Sequence, residues 1–584
     1  MFGKIVYISD TEAHVELPTG QPISTNIMNM HVIFEDENKK VIGEVNDISD
    51  KIIKINFLGE ITNNNFIPGV IRKPSFSSKI RIITKEELTF LVGQDNEKSF
   101  LLGYSPLYDN YPIYVDINDL LSNHTAIFGN SGSGKSCGVA RILQNIFRNP
   151  RMLPYKSNIM IFDAYGEYHN ALKTINEINP NLNFKFYTTS KSETGGERLR
   201  IPLWLLTLDD MALLLSATEH SQLAIIERMM KIVSIFSGND LEAINYKNHL
   251  IAKAIMRILY SNQTASSKKN DIFAIFTTCS TPQFNMETPV QGIGYTRKFR
   301  DCFLIDNSGQ FSESILLTKY VTSFINEALD KYEPKTTNFY TLEDLENALN
   351  FTLISEGILH NDKSYADAIT LKVRLHSLVI GEYSEFFKFD KYINMESYIA
   401  SLISINGKKA QIINFNLEDI DDSFGKVIAK IYMRMLFDFT KRLKERATIP
   451  FHIFLEEAHR FVQNDNDKYL IGYNIFDRIA KEGRKYGLIL NLISQRPVEI
   501  SETVISQCSN FIIFKMNHPR DLEYIRKMLP NISAEIVEKQ KTLQPGTCVA
   551  FGKAFKIPTI IKMEMPNPAP YSSNCDVVES WKVS

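Results

Sequence analysis

The run Ile127-Phe128-Gly129-Asn130-Ser131-Gly132-Ser133-Gly134-Lys135-Ser136 satisfies the pattern G-x-x-x-x-G-K-[ST] at every position. Gly129, Gly132 and Gly134 let backbone N–H groups turn inward and approach a polyphosphate closely. Asn130, Ser131 and Ser133 fill the loop between them. Lys135 brings a point charge to the β and γ phosphates, and the Ser136 hydroxyl is a ligand for Mg²⁺. Upstream, His124 to Phe128 reads as a buried strand. Downstream, Val139, Ile142, Leu143 and Ile146 recur at helical spacing, which sets the anion at a helix N-terminus. Strand, loop and helix in that order predict a nucleotide-phosphate site in an α/β fold.

With 584 residues the chain exceeds a single core and should hold roughly two to four domains. Its 44% hydrophobic and 23% charged content is that of a soluble globular protein. No window reads as an apolar, uncharged 18-residue span, and the opening Met-Phe-Gly-Lys-Ile lacks a signal-peptide core, so a cytoplasmic protein without membrane attachment is expected. The six cysteines (137, 279, 302, 508, 548, 575) show no C-x-x-C spacing, which argues against a disulfide framework or a zinc site. A net charge of −2 gives no nucleic-acid footprint over the whole chain. A nucleic-acid surface would have to be local, such as the lining of a ring.

Residues 1–95 read as short strands, among them Ile5–Ile8, His14–Leu17, Val32–Phe34, Val41–Val45, Lys51–Phe57 and Lys79–Ile83. Turn residues separate them, and the spacing predicts a small closed β-barrel serving as a scaffold or docking module. From 96 to 204 the pattern is α/β, with the apolar strand Asn158–Asp163 ending in an acid. Residues 205–400 carry helical periodicity, as at Leu223–Ile235 and Tyr365–Leu378, and predict a helical bundle inserted into the α/β domain. Loops such as Ser266–Asn270 are expected to interrupt it. Over 401–562 strands resume at Gln411–Phe415, Phe451–Leu455, Leu488–Ile493, Phe511–Phe514 and Thr547–Phe551, alternating with helices. Such apolar strands predict a parallel sheet buried on both faces. The tail 563–584, with Pro566-Asn-Pro-Ala-Pro570, reads as disordered or as a strap laid over a neighbour.

A second acidic site completes the chemistry. The strand Phe451–Leu455 runs into Glu456-Glu457-Ala458-His459. Two acids at a strand end suit Mg²⁺ held through Glu456, with Glu457 as general base on the attacking water. His459 lacks a third ligand at a spacing that would suggest a transition metal. The next strand ends in Ser494-Gln495-Arg496-Pro497, where Gln495 can orient water and report on the γ-phosphate. Arg484, in Glu482-Gly-Arg-Lys-Tyr-Gly487, either complements the dipole of its helix or reaches an adjacent subunit's γ-phosphate as an arginine finger.

Together, Asn123–Ser136, Phe162–Tyr168, Leu455–Phe461, Glu482–Gly487 and Ser494–Pro497 resemble the HerA family of the HerA/FtsK superfamily, hexameric DNA-translocating ATPases. The resemblance covers essentially the whole chain in order. It implies a RecA-like P-loop NTPase core with an N-terminal small β-barrel (the HAS barrel) and a helical-bundle insertion. It further implies a homohexamer with ATP between subunits, double-stranded DNA in the central pore, and a C-terminal strap crossing to the adjacent protomer. By carry-over, Lys135 and Ser136 bind ATP–Mg²⁺, Glu457 activates water, Gln495 senses the γ-phosphate and Arg484 acts in trans. Glu456 stands where many relatives have Asp, keeping the charge on one more methylene. Asn123 stands where a basic residue is expected, which puts a second trans-acting arginine in doubt.

Motors of this family work with a NurA-like nuclease, and bacterial relatives pair with sirtuin-like or nuclease effectors in antiphage defence. The barrel is the implied docking surface for such a partner. Three functional readings follow: a DNA translocase or helicase, a nucleotide-binding ring scaffold that activates an effector, and a pump for another polymer. Lys191–Arg200, with Gly195 and Gly196, is the candidate pore loop.

Overall fold

A computed structural model of the chain describes residues 2–17, 26–36, 39–49, 51–62, 65–190, 195–331, 339–360, 362–465, 467–528, 539–571 and 577–581. The chain forms two compact units. The first comprises Met1–Glu197, Ile399–Asp465 and Tyr473–Ser584, and the second Arg198–Tyr398 with Asn466–Gly472.

The first unit begins with β1 (Ile5–Ile8), β2 (Glu12–Glu16), β3 (His31–Asp36), β4 (Lys39–Ile48), β5 (Ile52–Thr62), β6 (Asn65–Pro68) and β7 (Lys79–Ile82). These strands pair antiparallel in the order β1-β2-β5-β4-β3-β7, with β6 on β5. Alternation sends Ala13, Val15, Phe34, Val41, Val45, Ile53 and Ile55 to one buried face. Ile33 and Ile42 point the other way, into the core shared with Phe100, Phe514 and Ile561. The expected barrel is not closed. Among the described residues β1 and β7 do not pair, and with four residues each they offer too few ladder positions to seal a barrel. The result is an open, bent sheet.

The large sheet contains β8 (Ser99–Ser105), β9 (Tyr111–Asp116), β10 (Thr125–Phe128), β11 (Ile159–Asp163), β12 (Phe184–Thr188) and β13 (Glu197–Arg198). Two short hairpins follow in the chain, β14 (Pro289–Gly292) with β15 (Tyr295–Lys298) and β16 (Ser404–Ile405) with β17 (Lys408–Lys409). The large sheet resumes with β18 (Ile412–Asn416), β19 (Phe451–Leu455), β20 (Leu488–Ser494), β21 (Asn510–Phe514), β22 (Thr547–Gly552) and β23 (Thr559–Lys562). Its order is β13-β12-β18-β11-β19-β20-β10-β21-β22-β23-β8-β9.

From β12 to β21 the strands run parallel, and β18, β19, β20 and β21 are buried along their whole length, as continuous apolar runs require. Thr547–Phe551 departs from the all-parallel expectation, because β22 pairs antiparallel with β21 and β23. Residue 546 lies beside the phosphate loop, at the C-terminal edge of the parallel strands. A strand entering there can only run back down the sheet.

The second unit is mainly helical, with helices at Leu208–Leu214, His220–Phe236, Leu241–Tyr260, Ala265–Thr278, Ser314–Thr322, Leu342–Ser355 and Asp362–Ile380. Rings of Phe276, Phe284, Phe299, Phe303, Tyr320 and Phe324 interlock in its core. The loop expected at Ser266–Asn270 is instead the first turns of the helix Ala265–Thr278. Thr264 caps that helix by accepting a hydrogen bond from the Ser267 amide, and Ile272, Ile275 and Phe276 give it a buried stripe. Those two signals outweigh the polar composition of its first turns. No described helix is long and apolar enough to cross a membrane.

Residues 564–571 lie against helices of the same chain. Gln144 Nε2 donates to Pro568 O (2.9 Å), Arg148 Nη2 to Asn567 O (2.8 Å) and Asn170 Nδ2 to Ala569 O (2.9 Å), and Arg141 pairs with Glu564. This stretch of the tail is therefore docked on its own phosphate-loop helix. Beyond it, Val577–Trp581 is a short helix with Trp581 exposed.

Candidate nucleotide site

At the centre of the large sheet, β10 lies between β20 and β21, and all four of its residues are buried. The chain leaves the sheet at Gly129 into the loop. A Cβ on Gly129 would lie 2.6 Å from Ser133 Oγ and 2.7 Å from Phe514 Cβ, so only glycine fits there. Gly134 has φ +97°, and a Cβ on it would come within 2.8 Å of Gly546 N. Around Gly132 the corresponding space is open. The loop is held from three sides. Gly129 N donates to Ser494 O (3.3 Å), Asn130 N to Lys515 O (3.0 Å) and Gly546 N to Ser133 O (2.9 Å). Inside the loop, Ser133 Oγ donates to Asn130 O (2.7 Å). The helix Lys135–Arg148 starts with no side-chain cap, which leaves its first N–H groups available to an anion.

A Gly134→Ala variant should weaken nucleotide binding tenfold or more. Left-handed backbone on a non-glycine residue costs about 1–3 kcal/mol, before any clash with Gly546. A fluorescent-nucleotide titration reads the loss, and circular dichroism checks that the sheet survives.

The acids come from β19, one strand removed from β10 with β20 between. Glu457 adopts φ +49°, ψ +51°, an uncommon conformation for a side-chain-bearing residue. Lys135 Nζ lies 3.7 Å from Glu457 Oε1 and 4.0 Å from Glu456 Oε1, and all three residues are buried. Tyr168 donates its hydroxyl proton to Glu456 Oε2 at 2.7 Å. Burial, reinforced by the charges of Glu457 and Glu167 and opposed by Lys135, pushes the Glu456 carboxyl up to about 8. Burial also works on Glu457, but the His459 hydrogen bond and the Lys135 charge overcome it and hold that carboxyl below its ordinary value. Two adjacent glutamates therefore differ in proton affinity, and Glu457 is the ionised member.

Secondary contacts orient this pair. Asp163, at the end of β11, accepts from Glu167 N (3.0 Å), Tyr168 N (2.9 Å) and Asn414 Nδ2 (3.1 Å), which fixes the turn that presents Tyr168 to Glu456. His459 Nδ1 is shared between Ser494 Oγ (3.0 Å) and Glu457 Oε2 (3.2 Å), with the better-aligned bond going to Ser494. The Gln495 backbone N–H also helps to hold the Glu457 carboxyl low. Gln495 itself is half-buried at the end of β20, over the strand that separates the acids from the loop.

The residues fit ATP and Mg²⁺. Glu457 Oε2 is buried without a well-aligned hydrogen bond, Ser136 is half-buried on the first turn of the helix, and the space around Gly132 is free. Among the described residues no group of three or more His, Cys, Asp or Glu could hold a metal ion alone. A cation here would rely on a hydroxyl, a carboxylate, water and phosphate oxygens, which is how Mg²⁺ is usually bound.

Arg484 is elsewhere. It sits on the 3₁₀ turn Gly483–Tyr486 immediately before β20, whereas Gln495 follows the strand. Seven residues of strand separate the two edges, about 20 Å. Arg484 is exposed, and its Nη1 donates to Asn123 Oδ1 at 3.0 Å. The structure thus brings Lys135, Glu456, Glu457 and Gln495 to one edge of the sheet and sets Arg484 at the other. Of the candidate pore loop, 191–194 lie outside the described residues, and Gly196 packs on Phe186 and Thr188 of β12. Sequence reading placed Tyr168 and Ser494 in its motif segments but gave neither a role, and it missed Gly546, although the turn run Pro545-Gly546-Thr547 left a local signal.

Residues 101–283 match the family model for the central domain of helicase HerA (DUF87). The DNA double-strand break repair helicase HerA of Saccharolobus solfataricus is 24% identical over 534 residues, covering 91% of this chain and 80% of that protein. The protein of the same description from Pyrococcus furiosus is 22% identical over 548 residues, covering 93% and 82%. Among solved structures, VirB4 of Thermoanaerobacter pseudethanolicus aligns with 81% of this chain and 98% of its own at 15% identity and a TM-score of 0.43. This chain is a P-loop ATPase and a distant homologue of the HerA helicases, matching their central domain over residues 101–283.

Proposed function

We propose that the chain is an ATP-hydrolysing homohexameric motor that moves on double-stranded DNA threaded through a central pore. It would work with a nuclease or another effector docked on the N-terminal sheet. One observation carries this reading: the exposed Arg484 lies a full strand length from the acids and lysine of its own loop. An arginine serving a phosphate site from there must serve that of another copy. A head-to-tail contact of that kind closes into a ring when its rotation allows. The DNA part of the reading comes from the homologues, which are DNA double-strand break repair helicases.

Within each site the loop N–H groups and Lys135 would hold the phosphates, and Ser136 would hold the cation together with Glu456, whose proton the incoming cation would displace. Bound Mg²⁺ would neutralise charge developing on the phosphate oxygens. Glu457 takes the proton of the attacking water, Gln495 orients that water, and Arg484 of the adjacent copy steadies the transferred phosphoryl group.

The discriminating experiment measures ATPase with and without linear duplex DNA. A motor should be stimulated severalfold by the duplex. A ring scaffold would ignore it, and its Lys135→Ala variant would still assemble and switch on an effector enzyme. The scaffold reading draws on the open edge of the N-terminal sheet, where Val6 and Tyr7 of β1 are exposed and available to a partner.

A further inference from the structure

An exposed arginine is ordinarily a poor catalytic group, because its long side chain samples many rotamers and must be ordered at each turnover. Arg484 is ordered in advance. Asn123, only 2% exposed, is the residue that receives it. The Asn123 amide is itself fixed, since its Nδ2 donates to Asp119 O at 3.0 Å and to Ser122 Oγ at 3.1 Å, which leaves Oδ1 turned to the guanidinium. Ser509 Oγ accepts a second, longer hydrogen bond from the same Nη1 at 3.5 Å.

The next residue, His124, locks the turn from beneath. Its Nδ1 accepts from Leu490 N of β20 at 2.9 Å, so the ring proton is on Nε2, which donates to Ala480 O at 3.1 Å. Burial, helped by the Arg484 charge, depresses His124 to about 4, so the ring stays neutral and keeps this tautomer. Asn123 and His124 directly precede β10, the strand that ends in the phosphate loop.

We propose that Asn123 is a positioning residue for the arginine donated in trans: its side-chain carbonyl holds the Arg484 guanidinium in the pose that meets the neighbouring copy's γ-phosphate. A neutral acceptor suits this task. It fixes one N–H of the fork and leaves the positive charge intact, whereas a carboxylate would neutralise the charge the phosphate needs. The proposal rests on the trans role of Arg484.

The test uses full-length hexamers assembled from co-expressed chains. Asn123→Ala alone should lower kcat about tenfold with nucleotide KM unchanged, as expected for a misplaced transition-state group. Glu457→Gln chains lack a working site of their own but carry a correctly held Arg484. Mixed one to one with them, Asn123→Ala chains should recover. If the defect lies in the arginine they give away, random assembly lifts the rate from about a twentieth of wild type, the simple average, to about a quarter.

The double variant Asn123→Ala/Arg484→Ala should be no slower than Arg484→Ala, because the asparagine acts only through the arginine. Asn123→Ser, which keeps a polar group near Asp119 O but falls short of Arg484, takes its place if the alanine variant fails to assemble. Absence of recovery with Glu457→Gln, while Arg484→Ala chains do recover, overturns the positioning role and leaves the trans arginine standing. If Arg484→Ala chains also fail to recover, the trans arginine itself is wrong and the inference falls with it.

Discussion

Glu457→Gln should reduce ATP hydrolysis at least a hundredfold while leaving nucleotide binding nearly intact. General-base catalysis contributes about 10²–10⁴ in rate, and the amide cannot accept the proton of water. The geometry makes the change selective. Glu457 is turned toward Lys135 by a left-handed backbone that Gln can share, and its carboxyl is the one of the two held ionised. Glu456, raised to about 8, already carries its proton near neutral pH and is not free to take another. Steady-state phosphate release and a binding titration on the same preparation separate the two effects. A variant within threefold of wild type would remove Glu457 from the chemistry.

Arg484→Ala should be costlier still, about a thousandfold in kcat, the lower end of what an arginine finger contributes. The loss should leave the fold untouched, since Arg484 is exposed and its strongest contact is with Asn123. It should also be repaired in hexamers mixed with Glu457→Gln, where each chain supplies what the other lacks. Full activity of a monomeric preparation, or of Arg484→Ala itself, would show that each chain completes its own site.

The phosphate loop was legible because its chemistry is local. Gly129, Gly134, Lys135 and Ser136 must sit at fixed spacing whatever surrounds them, and strand and helix signals flank them on either side. The same holds for β18 to β21, whose apolar runs say that both faces are covered. The direction of β22 was not legible, because an apolar run says that a strand is buried and nothing of how the chain enters it. The helix beginning at Ala265 was hidden by its polar first turn, although the Thr264 cap was there to be read. Barrel closure depends on pairing between strands some seventy residues apart, which no local pattern records.

What the sequence determined by itself was the kind of chemistry: a polyphosphate loop, two acids at a strand end and an arginine before the next strand. Only the tertiary structure decided which of these act together. It joined Tyr168 to Glu456 and His459 to Ser494 across the sheet, and it gave Gly134 its neighbour Gly546. It also put Arg484 in the grip of Asn123 at the far edge. The physical reason is that residue type and spacing specify local backbone and charge, while distance between segments is set by strand order, and strand order emerges only when the whole core packs.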